Sequence, residues 1–350
     1  MLDLISHVVK ISAHRDRTEI NGAMVDAQLT LFHPQTVCIY RCYANNKKTV
    51  IFACAGFGEH GRFVRNAYQP DPHFCRPLDR DPLLKQCFKE RSACFEFLDD
   101  GSHRIIFPVN RRGQPLYLIE LKLSEEFSAD QRIALMGLIE YFGNHLALLD
   151  YGETDTLTGL SSRKTFDKHL FELLGRAQDD ALHQPKGSRP PLRRKGDGAN
   201  SSHWLAVCDI DHFKRVNDNF GHLIGDEVLI MVAQVMQQSF RFNDQLFRFG
   251  GEEFIALLQP ATETDACAAL ERFRQSIESA NFSRVGHITI SAGLSRLQPY
   301  DTPTDVIDRA DEALYYAKRN GRNQIACYEN LIEKRKLMAK PAPTGEVELF

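Results

Sequence analysis

The feature that most constrains the fold is a regular alternation of short apolar runs and longer amphipathic runs in the second half of the chain. A helical pattern near 162–175 is followed by "WLAVCDI" and then by the helical stretch "DEVLIMVAQVMQQSF". A hairpin around "RFGGEEF" comes next, then "TDACAALERFRQSIESA", "HITISAGLSRL" and "TDVIDRADEALYYAKRN". Strands and helices of these lengths in alternation predict an α/β layer fold for residues 155–330.

Residues 1–127 predict a smaller α+β domain with an antiparallel sheet. The β-runs "VCIYRCY" and "KTVIFACAG" are separated by the turn signal "ANNK", and "RDPLLKQCFKERS" predicts a short helix. "ACFEFL", "HRIIFPV" and "QPLYLIELKL" predict three further strands, the last two joined by "NRRGQ".

Residues 128–154 predict a connecting helix that begins at a Ser128 N-cap. Apolar residues follow at spacings of 4, 3, 4 and 3, which is a short a/d seam: Leu135, Ile139, Phe142, Leu146 and Leu149. The seam favours pairing of this helix with its copy in a homodimer. The alternative is an amphipathic helix that packs on its own domain.

Two segments lack an apolar period. Residues 176–202 are rich in Pro, Gly and basic residues and predict an exposed, flexible insertion, and residues 331–350 predict a helix end followed by a loose tail. The full chain of 350 residues is 43% hydrophobic, which suffices for a core in each domain.

Charge and hydropathy exclude several classes of protein. The formal net charge of −3 gives no reason to expect a nucleic-acid or anionic-membrane partner. No apolar run approaches the roughly 18 to 20 residues of a membrane helix, and the N-terminus shows no signal-peptide pattern, so we expect a cytoplasmic protein. The nine cysteines form no CxxC and are expected to be reduced and mostly buried. A thiol sensor or metal site in the first domain is the alternative.

Carboxylates occur at two points that the predicted fold could bring together. Asp209 and Asp211 flank Ile210 where an apolar strand ends, and alternation along a strand points both carboxylates to the same side. Glu252 and Glu253 lie at the hairpin tip. Two acidic clusters would repel each other unless a cation lay between them, and Mg²⁺ takes one or two carboxylates plus substrate phosphates. The alternative is a solvated turn.

Glycines and basic residues accompany these carboxylates. Gly250 and Gly251 permit positive φ in a tight hairpin and leave room for a ligand against the backbone, although a plain Gly-Gly turn is an alternative. Basic residues that could meet phosphates are Lys214, Arg248, Lys318 and Arg322. The last two share one side of a helix if the helix continues through residues 320–321; otherwise they are solvated charges at a helix end.

Together, "RFGGEEF", the upstream "DIDHFKRVNDNFGHLIGDEVL" and the downstream "ADEALYYAKRNGRN" resemble the GGDEF (here GGEEF) diguanylate cyclase domain. The resemblance covers residues 155 to about 328, opening on "DTLTGLSSR", where Ser162 stands in place of the family's usual Asn. It implies a nucleotide-cyclase or palm-like fold. It also implies two facing copies, each with one GTP and Mg²⁺ (Mn²⁺ being an alternative), that make cyclic di-GMP and two pyrophosphates.

The resemblance also implies residue roles. Metal would be held by Asp209, Glu253 and the Ile210 carbonyl, and Glu252 would deprotonate the 3′-OH. Guanine would be read by Asn217 and Asp226, with His222 close to the nucleotide. Phosphates would be lined by Phe213, Lys214, Lys318, Arg322 and the backbone at Gly250 and Gly251, with Arg248 contacting phosphate or a neighbouring chain.

Two further resemblances concern regulation. "RFND", Arg241 to Asp244, lies five residues before Gly250 and matches the family's RxxD inhibitory motif, with Arg272 as a further contact for bound cyclic di-GMP. Residues 1–127 more loosely resemble a GAF sensor domain, with no motif that names its ligand. The alternatives to a regulated cyclase are a cyclic di-GMP receptor without catalysis and an enzyme that cyclises a single nucleotide.

Overall fold

The computed structural model describes residues 2–45, 48–66, 70–111, 114–182 and 201–338, which fall into two compact units, Met1–Glu153 and Thr154–Phe350. The helices of unit 1 are α1 (Leu2–Ala13), α2 (Arg17–Phe32), α3 (Pro82–Glu90) and α4 (Ala129–Glu153). Its strands are β1 (Thr36–Asn45), β2 (Lys48–Gly58), β3 (Gly61–Val64), β4 (Cys75–Pro77), β5 (Cys94–Phe97), β6 (His103–Arg111) and β7 (Gln114–Leu123).

The described strands of unit 1 form one antiparallel sheet in the order β3-β2-β1-β7-β6-β5, with β4 paired to β2. Helices α1, α2 and α4 supply the core on one face, and α3 packs on the other. The predicted antiparallel sheet is confirmed, and the five predicted strands correspond to β1, β2, β5, β6 and β7. Helix α2 was not predicted.

Helix α4 begins where the sequence indicated. The Ser128 hydroxyl accepts from the Gln131 N–H at 3.2 Å, and the Gln131 side chain accepts from the Ser128 N–H at 3.0 Å. The predicted dimer seam, however, is wrong for this helix, because Leu135, Phe142 and Leu146 are at most 1% exposed within the core of unit 1. The alternative, a helix packed on its own domain, is what the structure shows.

Unit 2 contains α5 (Arg163–Leu182), α6 (Phe213–Phe220), α7 (His222–Ser239), α8 (Glu263–Ser279), α9 (Pro303–Arg319) and α10 (Tyr328–Glu333). Its strands are β8 (Ser161–Ser162), β9 (Ser202–Ile210), β10 (Gln245–Arg248), β11 (Glu253–Ala261), β12 (Ile290–Arg296) and β13 (Ile325–Cys327), paired in the order β13-β12-β9-β11-β10-β8. The strands β12, β9, β11 and β10 are antiparallel, whereas β13 and β8 add parallel pairs at the two edges.

The central strand β9 is apolar on both faces because helices cover both. Trp204, Ala206 and Cys208 point into the core built with α7 and α8, while Leu205 and Val207 point into the core built with α5 and α9. Such a three-layer arrangement explains why "WLAVCDI" reads as a continuous apolar run. The predicted α/β layer fold of this unit is confirmed.

The end of α5 differs from the prediction, and most of the predicted insertion and part of the tail lie outside the described residues. Helix α5 continues through Leu182, so residues 176–182 are helical, not part of a loop. The rest of the predicted insertion up to residue 200, and the tail from residue 339, lie outside the described residues. No helix in the described ranges has the length and hydropathy needed to cross a bilayer.

Candidate active site

The site lies where β9 ends and the antiparallel strands β11 and β12 begin. Glu253 is paired with Asp209 across β11 and β9, and Ser291 is paired with Asp209 on the other side. Paired residues of an antiparallel ladder project to the same face, so Asp209 of one acidic cluster and Glu253 of the other are neighbours. Glu252 precedes Glu253 in the turn of the predicted hairpin, which the β10–β11 pairing confirms.

Asp209 is buried beside a cation. Its side chain is 8% exposed, and its Oδ1 lies 2.8 Å from Lys318 Nζ at the end of α9. Burial raises the pKa of Asp209, the Asp211 charge adds to that, and Lys318 opposes both. A buried carboxylate with neighbouring negative charge favours the approach of positive charge.

Burial and neighbouring charges also shift the pKa of Glu252. Partial burial raises its pKa above the ordinary value for glutamate, and the charges of Asp209 and Glu253 raise it further, while Lys318 lowers it. A carboxylate whose pKa is raised is a stronger base at neutral pH than an ordinary one.

Asp311 is a neighbouring acid that the sequence reading missed. Partial burial and the charge of Glu253 raise the pKa of Asp311 to about 6. It lies on α9 seven residues before Lys318, which places both on one face of the helix. The seven-residue spacing from Lys318 is the signal in the sequence that points to Asp311.

Asp211 lies on the same side as Asp209, as predicted, but its carboxylate is occupied by structural bonds. It accepts from Ser291 Oγ at 2.8 Å, Thr289 Oγ1 at 2.7 Å and the Asn323 N–H at 3.0 Å. It therefore joins the end of β9 to β12 and to the loop after α9, and only Asp209 of the two is turned toward Lys318.

Arg248 has a role that the sequence did not indicate. Its Nη1 donates to both oxygens of Asp155 at 3.1 and 3.2 Å, and its Nε and Nη2 donate to the Gly251 carbonyl at 3.3 and 2.9 Å. Asp155 in turn accepts from the N–H and hydroxyl of Thr158. All three guanidinium nitrogens are thus engaged within unit 2, where Arg248 holds the hairpin tip, and its contact with phosphate or a neighbouring chain stays a prediction.

Neither hairpin glycine is required by a positive φ, and only Gly250 has a neighbour that an added Cβ would meet. Neither is among the residues with positive φ, which corrects the expectation of a left-handed turn. A Cβ on Gly250 would lie 2.9 Å from Glu253 Oε2, whereas one on Gly251 would meet nothing within 4 Å. Gly251 therefore opens onto free space, which agrees with the predicted room for a ligand.

Helices α6 and α7 bring the predicted guanine readers close together. Gly225 of α7 faces Asn217 of α6, and a Cβ at Gly225 would overlap the Asn217 side-chain oxygen. Asp226 follows Gly225 and is half-buried, as is Asn217, while His222 at the start of α7 is exposed.

The residues predicted to line the phosphates differ in their exposure and in their position relative to α9. The Phe213 ring lies in the core, so only its backbone could face a phosphate, whereas Lys214 is exposed. Helix α9 ends at Arg319, and Arg322 has φ 58°, so the helix does not continue through residues 320–321 as the shared-face argument required. The Arg322 charge still lies near enough to lower the pKa of Asp209.

The residues of the predicted inhibitory site also come together. Asp244 accepts from the Arg241 N–H at 2.9 Å and from the Gln259 N–H at 3.0 Å, and the charges of Arg241 and Arg272 both act on its carboxylate. Arg272 donates to the Ser239 carbonyl at 2.6 Å, whereas the Arg241 side chain is exposed.

Within the described residues, no three His, Cys, Asp or Glu side chains are arranged to hold a metal ion together. Asp209 and Glu253, which are paired across β9 and β11, suit an ion that takes one or two carboxylates and completes its shell with phosphate oxygens.

Comparisons with known proteins match this unit. Residues 190–324 match the family model described as "Diguanylate cyclase, GGDEF domain". The chain is 41% identical over 176 residues to diguanylate cyclase DgcP of Pseudomonas aeruginosa, covering 49% of this chain and 23% of that protein. It is 36% identical over 173 residues to diguanylate cyclase DgcZ of Escherichia coli, covering 49% and 51%.

Among solved structures, the coiled coil and GGDEF domain of DgcB from Caulobacter crescentus in complex with c-di-GMP is similar. It has 30% identity and a TM-score of 0.47, covering 57% of this chain and 100% of that one. The chain spans about a quarter to a half of the length of the curated relatives named above.

Proposed function

We propose that the protein is a diguanylate cyclase, starting from the premise that residues 190–324 carry a GGDEF domain. It would condense two GTP into cyclic di-GMP and two pyrophosphates. The observation that carries this proposal is the register of Asp209 against Glu253, with Glu252 and Lys318 beside them. A receptor without catalysis would have no function for carboxylates that repel each other at the end of a strand.

We propose that Asp209 and Glu253, with the Ile210 carbonyl, hold Mg²⁺, or Mn²⁺ in its place. Oxygen donors suit a hard divalent ion, and burial, which raises the pKa of Asp209, favours a cation beside its carboxylate. Bound there, the ion would stabilise charge on the phosphoryl oxygens and lower the pKa of the attacking hydroxyl.

The protein's own groups then have definite tasks. Glu252 accepts the proton of the 3′-OH, for which its raised pKa suits it. Lys318 and Lys214 offer positive charge to the phosphates, and Arg248 holds the Gly251 carbonyl and thus the tip of the hairpin. Asn217 and Asp226 read guanine, whose N1–H and N2–H₂ are donors that adenine does not present.

Regulation is proposed on three further points. A second copy of the chain supplies the second GTP, and because the predicted seam is buried, pairing would use the exposed side of α4, where Ile133, Met136 and Leu148 are 62–69% exposed. Cyclic di-GMP at Arg241, Asp244 and Arg272 would inhibit turnover. Unit 1 would act as a GAF-like sensor of a ligand that its sequence does not identify.

The test is a product assay by mass spectrometry. Purified protein is incubated with GTP and Mg²⁺ and with a hydrolase that removes cyclic di-GMP, so that inhibition does not hide turnover. We expect pyrophosphate and dinucleotide from the wild type, and at least an approximately 100-fold loss in Glu252→Gln, because a positioned general base contributes about that much. Glu333→Gln on α10 is the matched control and should retain activity.

The receptor alternative predicts another outcome. Cyclic di-GMP would then bind to the wild type and not to Arg241→Ala, while neither protein made product under any condition. Full activity in a folded Glu252→Gln variant would refute the cyclase assignment, and the mass of the product would distinguish a dinucleotide from a 3′,5′-cyclic mononucleotide.

A further inference from the structure

An arginine of unit 1 is held between two aromatic rings. Arg65 directly follows β3, and its guanidinium carbon lies 3.9 Å from the centroid of the Phe63 ring and 3.7 Å from that of the Phe74 ring. Gly56 of β2, which pairs with Phe63, leaves room for the Phe63 ring, because a Cβ on Gly56 would lie 2.7 Å from it. Attraction between the cation and the two rings fixes the orientation of the guanidinium.

One edge of this guanidinium has no partner. Arg65 Nη1 donates to the Ala53 carbonyl at 2.7 Å, whereas Nε and Nη2 donate to no group in the described part of the chain, and no described carboxylate forms an ion pair with them. Partial burial lowers the pKa of Arg65, and the charge of Asp71 opposes that effect without cancelling it. Nε and Nη2 lie side by side, in the arrangement that binds two oxygens of one anion through parallel hydrogen bonds.

A second arginine lies close to the first. Arg76 of β4 lies over the Tyr40 ring, 5.1 Å from its centroid, and its Nη2 donates to the Tyr40 hydroxyl at 3.1 Å. Burial raises the pKa of the Cys38 thiol to about 12, and the charges of Arg76 and Arg65 both oppose that rise. Both guanidinium groups are therefore within electrostatic reach of the same thiol.

The surface beside the two arginines consists of small side chains. Cys38 pairs with Gly56 and Gly56 with Phe63, so Cys38 lies on the same face of the sheet as the Phe63 ring. Ala53 pairs with Tyr40, two residues after Cys38, and shares this face. Cys38 and Ala53 are each half-buried at the edge of the core that α3 completes. They offer a small apolar floor next to two cations.

We propose that Arg65 and Arg76 form a binding site for a small organic carboxylate. The carboxylate oxygens accept from Nε and Nη2 of Arg65, Arg76 adds positive charge, and the apolar body of the ligand lies on Cys38 and Ala53. The proposal rests on the proposed role of unit 1 as a sensor and names the chemical class of its ligand. It is tested by binding and not by turnover, so its failure is distinguishable from a failure of the cyclase proposal.

The charges around the two arginines favour a carboxylate monoanion over a phosphate dianion. Asp81 Oδ2 lies 3.8 Å from Arg76 Nη2, and the charge of Asp71 reaches Arg65. Each acid offsets part of the positive charge, so a second negative charge on the ligand would meet repulsion that is not compensated. A carboxylate is also planar, like the guanidinium edge that would bind it.

The experiment measures the binding of benzoate to the full-length protein by equilibrium dialysis. We expect a dissociation constant on the order of 1 mM or below, an ordinary value for a ligand of this size. Benzamide, which has a similar shape and no charge, is the ligand control and should bind at least about ten-fold more weakly. Inorganic phosphate should also bind more weakly than benzoate.

Variants then locate the site. Arg65→Met keeps much of the length of the side chain and removes its donors, so the affinity for benzoate should fall at least about ten-fold. Arg65→Lys keeps the charge but not the paired donors, and should also weaken binding. Arg62→Met is the matched control: Arg62 precedes Phe63 on β3, is exposed and pairs with Asp26 at 2.6 Å, so its loss should leave benzoate binding unchanged.

Circular dichroism and thermal unfolding of the variants come first, so that a folding defect is recognised. If the Arg65 variants do not fold, Arg76→Met carries the test, because that side chain is 40% exposed, and it should likewise weaken benzoate binding. The proposal would be overturned by an absence of saturable benzoate binding up to about 10 mM, by equal binding of benzamide, or by tighter binding of phosphate. Unchanged affinity in a folded Arg65→Met or Arg76→Met variant would overturn it as well.

Discussion

A single arginine determines how the hairpin tip is held. Arg248 bridges the Asp155 carboxylate and the Gly251 carbonyl, so it joins the first turn of unit 2 to the loop that presents Glu252 and Glu253. In the structure its side chain contacts the backbone of that loop. The residue is therefore a positioning residue, and its effect should appear in the rate and not in the affinity for GTP.

Asp155→Asn tests this link. The Asn side chain can still accept from Thr158, but the ion pair with Arg248 is lost, and the loop should shift or sample more positions. We expect kcat to fall about ten-fold with KM for GTP nearly unchanged, since small displacements of a reacting group are costly. Steady-state pyrophosphate release measures both constants. Asp167→Asn, an exposed acid on α5, is the control, and a large rise in KM with constant kcat would contradict the positioning role.

The same carboxylate gives a pH dependence of stability. Burial alone would raise the pKa of Asp155, but bonds from Thr158 and Arg248 outweigh it and hold the pKa below its ordinary value. A lowered folded-state pKa gives stability that is present above the unfolded value, about 3.9, and is lost as the pH falls through the folded value.

We therefore expect Asp155→Asn to cost about 1 kcal/mol of unfolding free energy between pH 5 and 8, and progressively less below about pH 4. Urea unfolding followed by Trp204 fluorescence measures it, because that ring is buried in the core of unit 2. A difference between wild type and variant that stayed constant down to pH 3 would show that the ion pair is not its source.

At the scale of elements, α9 approaches the sheet so closely that its partner strand requires glycine. A Cβ on Gly293 of β12 would overlap the backbone of α9 at Ala310 and Leu314. The helix carries Lys318 and Asp311 toward the site, so this contact fixes the distance between the sheet and two charged side chains.

Gly293→Ala should therefore disturb both stability and activity. Overpacking of this kind typically costs about 1 to 3 kcal/mol, and we expect the upper part of that range because backbone atoms cannot rotate away. The measurement is again urea unfolding followed by Trp204. Gly175→Ala on α5 is the matched control: a Cβ there meets nothing within 4 Å, and the change should stabilise by about 0.5 to 1 kcal/mol. Equal stability of the two variants would contradict the close contact.

Most elements could be predicted from the sequence because their apolar patterns are set by burial that is local to each element. The strand "WLAVCDI" could hardly be anything but a central strand, and the pairing of Asp209 with Glu253 follows once the hairpin is placed beside it. Asp209 and Glu253 are found as neighbours, and their role as metal ligands stays a prediction.

The predictions that were wrong concern patterns that are compatible with more than one packing partner. The 4-3-4-3 spacing of α4 is the same whether its seam meets a second helix or its own sheet, and here it meets the sheet. Similarly, the sequence shows that Arg248 is basic, but not that Asp155, 93 residues away, reaches it first. The short α6 and β13 were missed because eight and three residues are too few to display a period.

At the scale of the whole molecule, the proposed reaction requires two chains. Each chain has one Glu252, and cyclic di-GMP contains two phosphodiester bonds, so a pair of chains must contribute one proton acceptor to each bond. A chain that lacks Glu252 can still offer its bound GTP to a partner. A mixed dimer should therefore complete one bond and stop.

We expect co-expressed wild-type and Glu252→Gln chains, purified through two different tags, to form a linear dinucleotide that retains a 5′-triphosphate. They should release one pyrophosphate for every two GTP and make almost no cyclic di-GMP. A second sample mixes equal amounts of untagged wild-type and Glu252→Gln protein and allows their subunits to exchange. At the same total protein concentration, cyclic di-GMP formation should fall to about one quarter of the wild-type rate. The reason is that about a quarter of randomly assembled dimers contain two wild-type chains. A fall to one half would mean that each chain works alone, because inactive chains would then only dilute active ones. Mass spectrometry of the products and a parallel pyrophosphate assay distinguish these outcomes.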